Sequence, residues 1–147
     1  MKNFLTLSLL AAAFAAAPAQ AAMFGCAADT KDFKLDISGQ AGDTVKASGS
    51  VSFKKSAGAV DITEAAFAEE NLVQSWSDGE NLNLQFRYEL PEGTDAAGTV
   101  LVQINSKRKG ADFAGEVSVF KNVNAPNLRR PVDVSYKGKV SCHMEIE

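Results

Sequence analysis

The sequence contains few of the residues that build catalytic and metal centres. Its 147 residues include one histidine, one tryptophan and two cysteines. A zinc site needs three or four nitrogen or sulfur ligands, which one histidine and two cysteines supply poorly. No glycine-rich motif for phosphate or dinucleotide binding occurs, and no nucleophile elbow precedes His143. We therefore expect no metal, no cofactor and no catalytic residue, and we interpret the chain as a non-enzymatic protein.

Long apolar runs are absent except at the amino terminus. Lys2 is followed by an uncharged apolar stretch over residues 4–17 and then by Pro18-Ala19-Gln20-Ala21. This arrangement is typical of a secretory signal peptide with cleavage near Ala21. We predict a signal peptide over residues 1–21, a single domain over 22–147 without a membrane span, and a periplasmic or secreted location.

The two cysteines, Cys26 and Cys142, lie 116 residues apart near the two ends of the predicted domain. An even, small number of cysteines in an exported protein predicts a disulfide. The lack of a C-x-x-C motif disfavours a redox or metal-binding pair. Acylation of Cys26 is the alternative, and the bulky Phe24 two residues earlier disfavours it.

A strong excess of one charge is also missing. After removal of residues 1–21, fourteen basic and eighteen acidic side chains remain, a net charge of −4. This balance gives no general attraction to nucleic acid, and we predict no nucleic-acid partner. Two short basic clusters, Lys107-Arg108-Lys109 and Arg129-Arg130, fall at opposite ends of one predicted strand. They are either solvated turns or contacts for an anionic partner.

Hydrophobic residues alternate with polar ones along most of the chain from Phe33 onward. The clearest run is 82–90, in which leucine and aromatic residues alternate with Asn83, Gln85, Arg87 and Glu89. Such a period of two places one set of side chains on each face of a strand. Turn residues separate the runs, as at Asp78-Gly79 and Lys109-Gly110. We predict an all-β domain, a small antiparallel meander of about seven to nine strands that forms a barrel or a sandwich.

Residues 61–70 depart from this alternation. They are rich in helix formers, and Asp61 with Glu64 three residues later resembles a capping box. The pattern predicts a short helix that covers the core or closes one end of a barrel with Phe67. Gly138 interrupts the last long run and indicates either a turn or a bulge.

Two aromatic residues are the remaining candidates for recognition. Trp76 stands beside the Asp78-Gly79 turn, and Phe120 has the opposite parity to Val117 and Val119. An exposed aromatic at a strand end is either a contact point or a cover for the core.

These residues lead to three hypotheses about function. The first is a binding protein that contacts an envelope protein, glycan or lipid headgroup through its end loops, with Trp76, Phe120 and the basic clusters as contacts. The second is a carrier that holds an apolar molecule inside a barrel, lined by Phe33, Phe53, Phe86, Tyr88 and Val102. The third is a hydrolase that uses paired carboxylates.

Overall fold

The domain consists almost entirely of antiparallel strands. The computed structural model describes residues 21–56, 58, 60–90, 97–126 and 128–145, so the predicted signal peptide lies outside the described residues apart from Ala21. The described elements, in chain order, are β1 (Ala22–Asp29), β2 (Phe33–Ala41), β3 (Val45–Phe53), β4 (Glu64–Phe67), a 3-10 turn (Glu69–Asn71), β5 (Leu72–Ser77), β6 (Asn81–Glu89), β7 (Ala97–Lys109), β8 (Asp112–Asn124) and β9 (Val132–Glu145).

The strands form one sheet in the order β4-β3-β2-β1-β9-β8-β7-β6-β5. Every neighbouring pair is antiparallel, and the first strand pairs with the last. The two ends of the sheet approach each other, since β3 contacts β5 and β4 contacts β6. The sheet is therefore a nearly closed barrel, which confirms the all-β prediction and decides between barrel and sandwich.

Residues 64–77, here called the closing segment, bring the two sheet ends together. Counting antiparallel pairs from β1 in both directions gives β4 and β5 the same chain direction. The closing segment therefore runs in one direction. It pairs first with β3 and then with β6, and the 3-10 turn lies between the two pairings. Counted in this way the barrel has eight positions around its wall, a size at which side chains fill the interior.

Large side chains do fill that interior. Phe33, Phe86 and Val102 have no exposed surface. Phe67 on the closing segment packs against Phe86 and Tyr88, with ring centroids 5.2 and 6.3 Å apart. The residues that the carrier hypothesis assigned to a ligand therefore contact one another or the rest of the core.

The prediction of a helix over residues 61–70 is wrong for most of that range. Residues 64–67 form β4, and the helical part is the single 3-10 turn at 69–71. Ala65 and Phe67 are buried while Glu64 and Ala66 are exposed. This period of two buries both apolar side chains against β3 and the core, and that gain outweighs the local helix propensity.

The last run is one unbroken strand. Gly138 pairs in regular register with Val117, so neither the turn nor the bulge that the sequence indicated is present. A Cβ at this position would lie 2.5 Å from Thr30 Cγ2. Glycine is therefore needed because the β1–β2 turn packs against the inner side of β9.

The predicted disulfide is present between Cys26 and Cys142. The two residues lie directly opposite each other on β1 and β9, and both side chains are buried. Strand β1 itself was not recognised from the sequence, although Phe24, Cys26 and Ala28 alternate inward. The bridge closes the seam between the first and last strands with its sulfur atoms inside the barrel, and the Cys26 sulfur that acylation would require is bonded to Cys142.

A charged pair lies inside one end of the barrel. Lys121 projects inward from β8, and its Nζ lies 2.7 Å from Asp61 Oδ1 and 4.1 Å from the centre of the Phe53 ring. The ammonium also donates to the carbonyl oxygen of Ile62 at 3.1 Å. Burial, together with the negative charge of Asp61, raises the pKa of nearby Tyr136. These contacts attach the loop between β3 and β4 to the barrel.

None of the helical segments in the described part of the chain has the length and hydropathy of a membrane-spanning helix.

Candidate functional site

A bulge in β5 shapes the outer wall of the barrel. The register of β5 against β6 shifts between Leu72 and Gln74, so Val73 is an extra residue. After the shift, Gln74 and Trp76 pair with the outward-facing positions of β6. In a regular strand Leu72 and Gln74 would point to the same side of the sheet. The bulge separates them and directs Gln74 and Trp76 to the outer face.

Two rows of polar side chains cross three strands on this wall. One row places Trp76 beside Asn83, which pairs with Asn105 on β7. The other places Gln74 beside Gln85 and Gln103. Directly paired side chains on one sheet face are close enough to contact each other. The wall thus carries five amide side chains and one indole in adjacent positions.

These rows form a shallow groove of about 280 Å³, here called the amide groove. No charged residue lines it. Its lining residues are Gln74, Ser75, Trp76, Asn83, Leu84, Gln85, Gln103, Ile104 and Asn105.

The amide groups of the groove are largely accessible. Asn83 Oδ1 accepts a hydrogen bond from the backbone N–H of Ser106 at 3.2 Å, which orients that side chain. Within the described part of the chain no hydrogen bond occupies the side-chain amides of Gln85 or Gln103. Each of these amides has two donor hydrogens and an acceptor oxygen for solvent or a ligand.

Trp76 is exposed and held in place. The residue is 61% exposed, and its Nε1–H donates to Asp78 Oδ2 at 2.9 Å. The other oxygen of Asp78 accepts the backbone N–H groups of Glu80 and Asn81. These hydrogen bonds, led by that of Glu80, lower the pKa of Asp78 to about 2. The carboxylate that orients the indole is therefore ionised at neutral pH.

The turn that carries Asp78 is supported from β7. The Arg108 guanidinium hydrogen-bonds to the carbonyl oxygen of Gly79 and lies 5.2 Å from the centre of the Phe113 ring. The backbone N–H of Arg108 donates to the carbonyl oxygen of Glu80 at 2.8 Å. Arg108, predicted as a binding residue, therefore has contacts that hold the turn beside Trp76.

Phe120 extends the same surface. It is half-buried on the outer face of β8, opposite Leu101 on β7. A second groove of about 200 Å³ includes Phe120, Leu101 and Lys137, and it shares Gln85 and Gln103 with the amide groove. The two aromatic residues singled out from the sequence thus lie at the two ends of one continuous outer surface.

The basic clusters do not line the amide groove, although Lys107 is the next outward-facing residue on β7 after Asn105. Lys107 and Lys109 are exposed at the end of β7, and Arg129 and Arg130 are exposed in the loop after β8. The thirteen residues of β8 separate the clusters by roughly 40 Å, so they do not form one patch. Neither cluster contributes a side chain to the lining of the amide groove.

Several carboxylates that could serve the hydrolase hypothesis lie beside basic side chains. Asp29 pairs with Lys54, and Asp32 and Asp36 each lie 3.8 Å from a lysine ammonium. The Lys54 hydrogen bond lowers the pKa of Asp29. Asp112 lies 2.6 Å from Nδ1 of the exposed His143. Asp95 lies outside the described residues.

Metal ligands are likewise dispersed, since no three histidine, cysteine, aspartate or glutamate side chains gather into a possible metal site among the described residues.

No protein-family model, curated protein or solved structure matches the chain.

The sequence predicted the two aromatic residues at the ends of this surface but not the amide residues at its centre. The alternation of Asn83 and Gln85 with hydrophobic residues indicated a solvent-exposed strand face. Their partners Asn105 and Gln103 align with them only through the β6–β7 register. A usable signal was that amides cluster at the outward positions 83, 85, 103 and 105 of two consecutive predicted strands.

Proposed function

We propose that the protein is an exported, non-enzymatic binding protein whose partner is a macromolecule of the cell envelope, held on the outer wall of the barrel at the amide groove. The predicted signal peptide and the buried disulfide support export, because disulfides persist in oxidising compartments. The observation that carries the proposal is the exposed, hydrogen-bonded Trp76 at the edge of an uncharged groove.

Three observations favour binding over the alternatives. The core residues assigned to a carried ligand pack against one another. Asp29 and Asp32, which could serve a carboxylate-based hydrolase, each lie beside a lysine, and Asp112 lies beside His143. A fixed aromatic is a common anchor of binding surfaces because it offers a large area at little entropic cost. The proposed contact surface is therefore the barrel wall, whereas the sequence analysis placed it in the end loops.

Retention on an isolated envelope fraction tests this function. We expect Trp76→Ala to reduce retention of the exported chain by about tenfold or more, in the range of an interface hot spot. Val73→Ala is the matched control, since Val73 is 54% exposed on the same strand but does not line the groove. Equal retention of both variants and the wild type, or recovery of the chain in the cytoplasm with residues 1–21 attached, would contradict the proposal.

A further inference from the structure

The lining of the amide groove narrows the chemistry of its ligand. All nine lining residues are uncharged. Recognition of a phosphate or carboxylate uses charge-assisted hydrogen bonds from arginine, lysine or backbone N–H groups. Charged side chains lie beside the groove and not in its lining: Lys107 follows Asn105 on the outer face of β7, Glu116 on β8 pairs with Asn105, and Lys137 borders the Phe120 end. An anionic ligand would therefore lose water without gaining an opposite charge from the nine lining residues.

The amide side chains match a ligand that is rich in hydroxyl or acetamide groups. Each glutamine or asparagine both donates and accepts, as hydroxyl and acetamide groups do. Gln74, Gln85 and Gln103 form one such row across three strands, and Asn83 and Asn105 form part of the next. Several adjacent groups of this kind form more than one hydrogen bond to one residue of a polyol chain.

The aromatic residues at the two ends of the outer surface are suited to packing against sugar rings, which have an apolar face. Trp76 and Phe120 lie three strands apart and four residues apart in register, which is roughly 20 Å across the wall. The C–H bonds of a sugar ring pack on an aromatic face and remove apolar surface from water. The span suits a chain of several sugar rings.

From these observations, and resting on the proposed function, we propose that the amide groove binds a neutral, linear glycan chain between Trp76 and Phe120. The indole packs on one sugar ring. The amides of Gln85 and Gln103 hydrogen-bond to hydroxyl or acetamide groups of the rings that follow. Peptide addition to a sheet edge is the less fitting alternative, because the groove lies on the face of three paired strands.

Fluorescence titration of the full exported chain tests the ligand class, because Trp76 is its one tryptophan. The probes are the neutral hexamers of β-1,4-linked N-acetylglucosamine and of β-1,4-linked glucose, with hexagalacturonate as the acidic comparison. We expect at least one neutral hexamer to change the emission saturably, and hexagalacturonate to bind at least tenfold more weakly. Tighter binding of the acidic hexamer would overturn the proposal.

Substitutions locate the binding. Gln85→Leu and Gln103→Leu should each weaken binding of the neutral hexamer about tenfold, since each removes hydrogen bonds to the ligand. Gln40→Leu, on the exposed outer side of β2, is the matched control and should change the affinity less than twofold. Equal affinity of all three variants would place the glycan elsewhere and overturn the proposal. Far-UV circular dichroism confirms that each variant is folded.

Failure of the ligand class is distinguishable from failure of the proposed function. If neither neutral hexamer changes the fluorescence while Trp76→Ala still abolishes envelope retention, the wall is the binding surface and its ligand is not a neutral glycan. If Trp76→Ala changes neither retention nor glycan binding followed by isothermal titration calorimetry, both proposals fail.

Discussion

At the residue scale, Trp76 differs from an ordinary exposed hydrophobic residue because Asp78 holds it. Asp78 Oδ1 accepts hydrogen bonds from the backbone of the turn and Oδ2 accepts one from the indole, so the turn and the aromatic are fixed together. An aromatic that is already oriented loses less conformational freedom on binding. The sequence placed Trp76 beside a turn, but the hydrogen bond depends on side-chain geometry that residue spacing does not specify.

The lowered pKa of Asp78 predicts how this unit responds to acid. A depressed pKa means that the ionised form is favoured in the folded state. The stabilisation that the Asp78 carboxylate gives to the folded state is therefore present above the ordinary pKa near 3.8 and is lost as the pH falls through about 2. Trp76 fluorescence should therefore be constant from pH 7 to pH 4 and change as the pH approaches 2. Asp78→Asn should show an altered emission already at pH 7.

Circular dichroism recorded in parallel separates release of the indole from unfolding of the barrel. A wild-type emission change centred between pH 5 and 7, with the fold intact, would contradict the role given to Asp78.

The buried pair of Lys121 and Asp61 gives a second prediction at this scale. Removing one partner leaves a buried charge without its counter-charge, which costs about 3–5 kcal/mol. We expect Lys121→Met and Asp61→Asn each to lower the free energy of unfolding by about this amount in urea denaturation. The double variant should recover most of the loss, because an uncharged pair has no ion to desolvate. Additive losses in the double variant would show that the two groups do not act together.

At the element scale, the closing segment shows where tertiary packing outweighs local preference. The strands with strong alternation, such as β6 and β7, were predictable because their apolar face is continuous over many residues. Residues 64–67 are too few to show a clear period, and their alanine and glutamate content favours a helix. Pairing with β3 at one sheet end and β6 at the other selects the extended form.

Phe67 provides the test of this element. Its ring fills space beside Phe86 and Tyr88, so Phe67→Ala should leave a cavity and lower the free energy of unfolding by about 3–5 kcal/mol. The neighbouring Ala66 is exposed, and Ala66→Ser should change stability by less than about 0.5 kcal/mol. Similar stabilities for the two variants would contradict the inward position of Phe67.

At the scale of the whole molecule, the disulfide joins the two ends of the described chain across one seam. Its loop of 116 residues is long, so the bridge restricts the unfolded chain strongly. The pairing of two cysteines in one chain was predictable because only one intramolecular bridge was possible. The seam itself was not predicted from the sequence, because β1 is rich in alanine and its pairing with β9 is a long-range contact.

We expect the double variant Cys26→Ala/Cys142→Ala to lose about 2–5 kcal/mol of unfolding free energy and to keep its far-UV spectrum, since the hydrogen bonds between β1 and β9 remain. Reduction of the wild type should lower its denaturation midpoint to that of the variant. An unchanged midpoint on reduction would mean that the bridge does not stabilise the barrel.

We propose that the outer wall at the amide groove, and not the end loops or the interior, is the binding surface. Nuclear magnetic resonance of the side-chain amides, recorded while a soluble envelope glycan fraction is added, tests it most directly. We predict shifts confined to Gln74, Gln85, Gln103, Asn83 and Asn105, together with the indole N–H of Trp76. Shifts confined to residues 107–112 or 125–131, or shifts of the core methyl groups, would place the binding surface in the end loops or the interior instead.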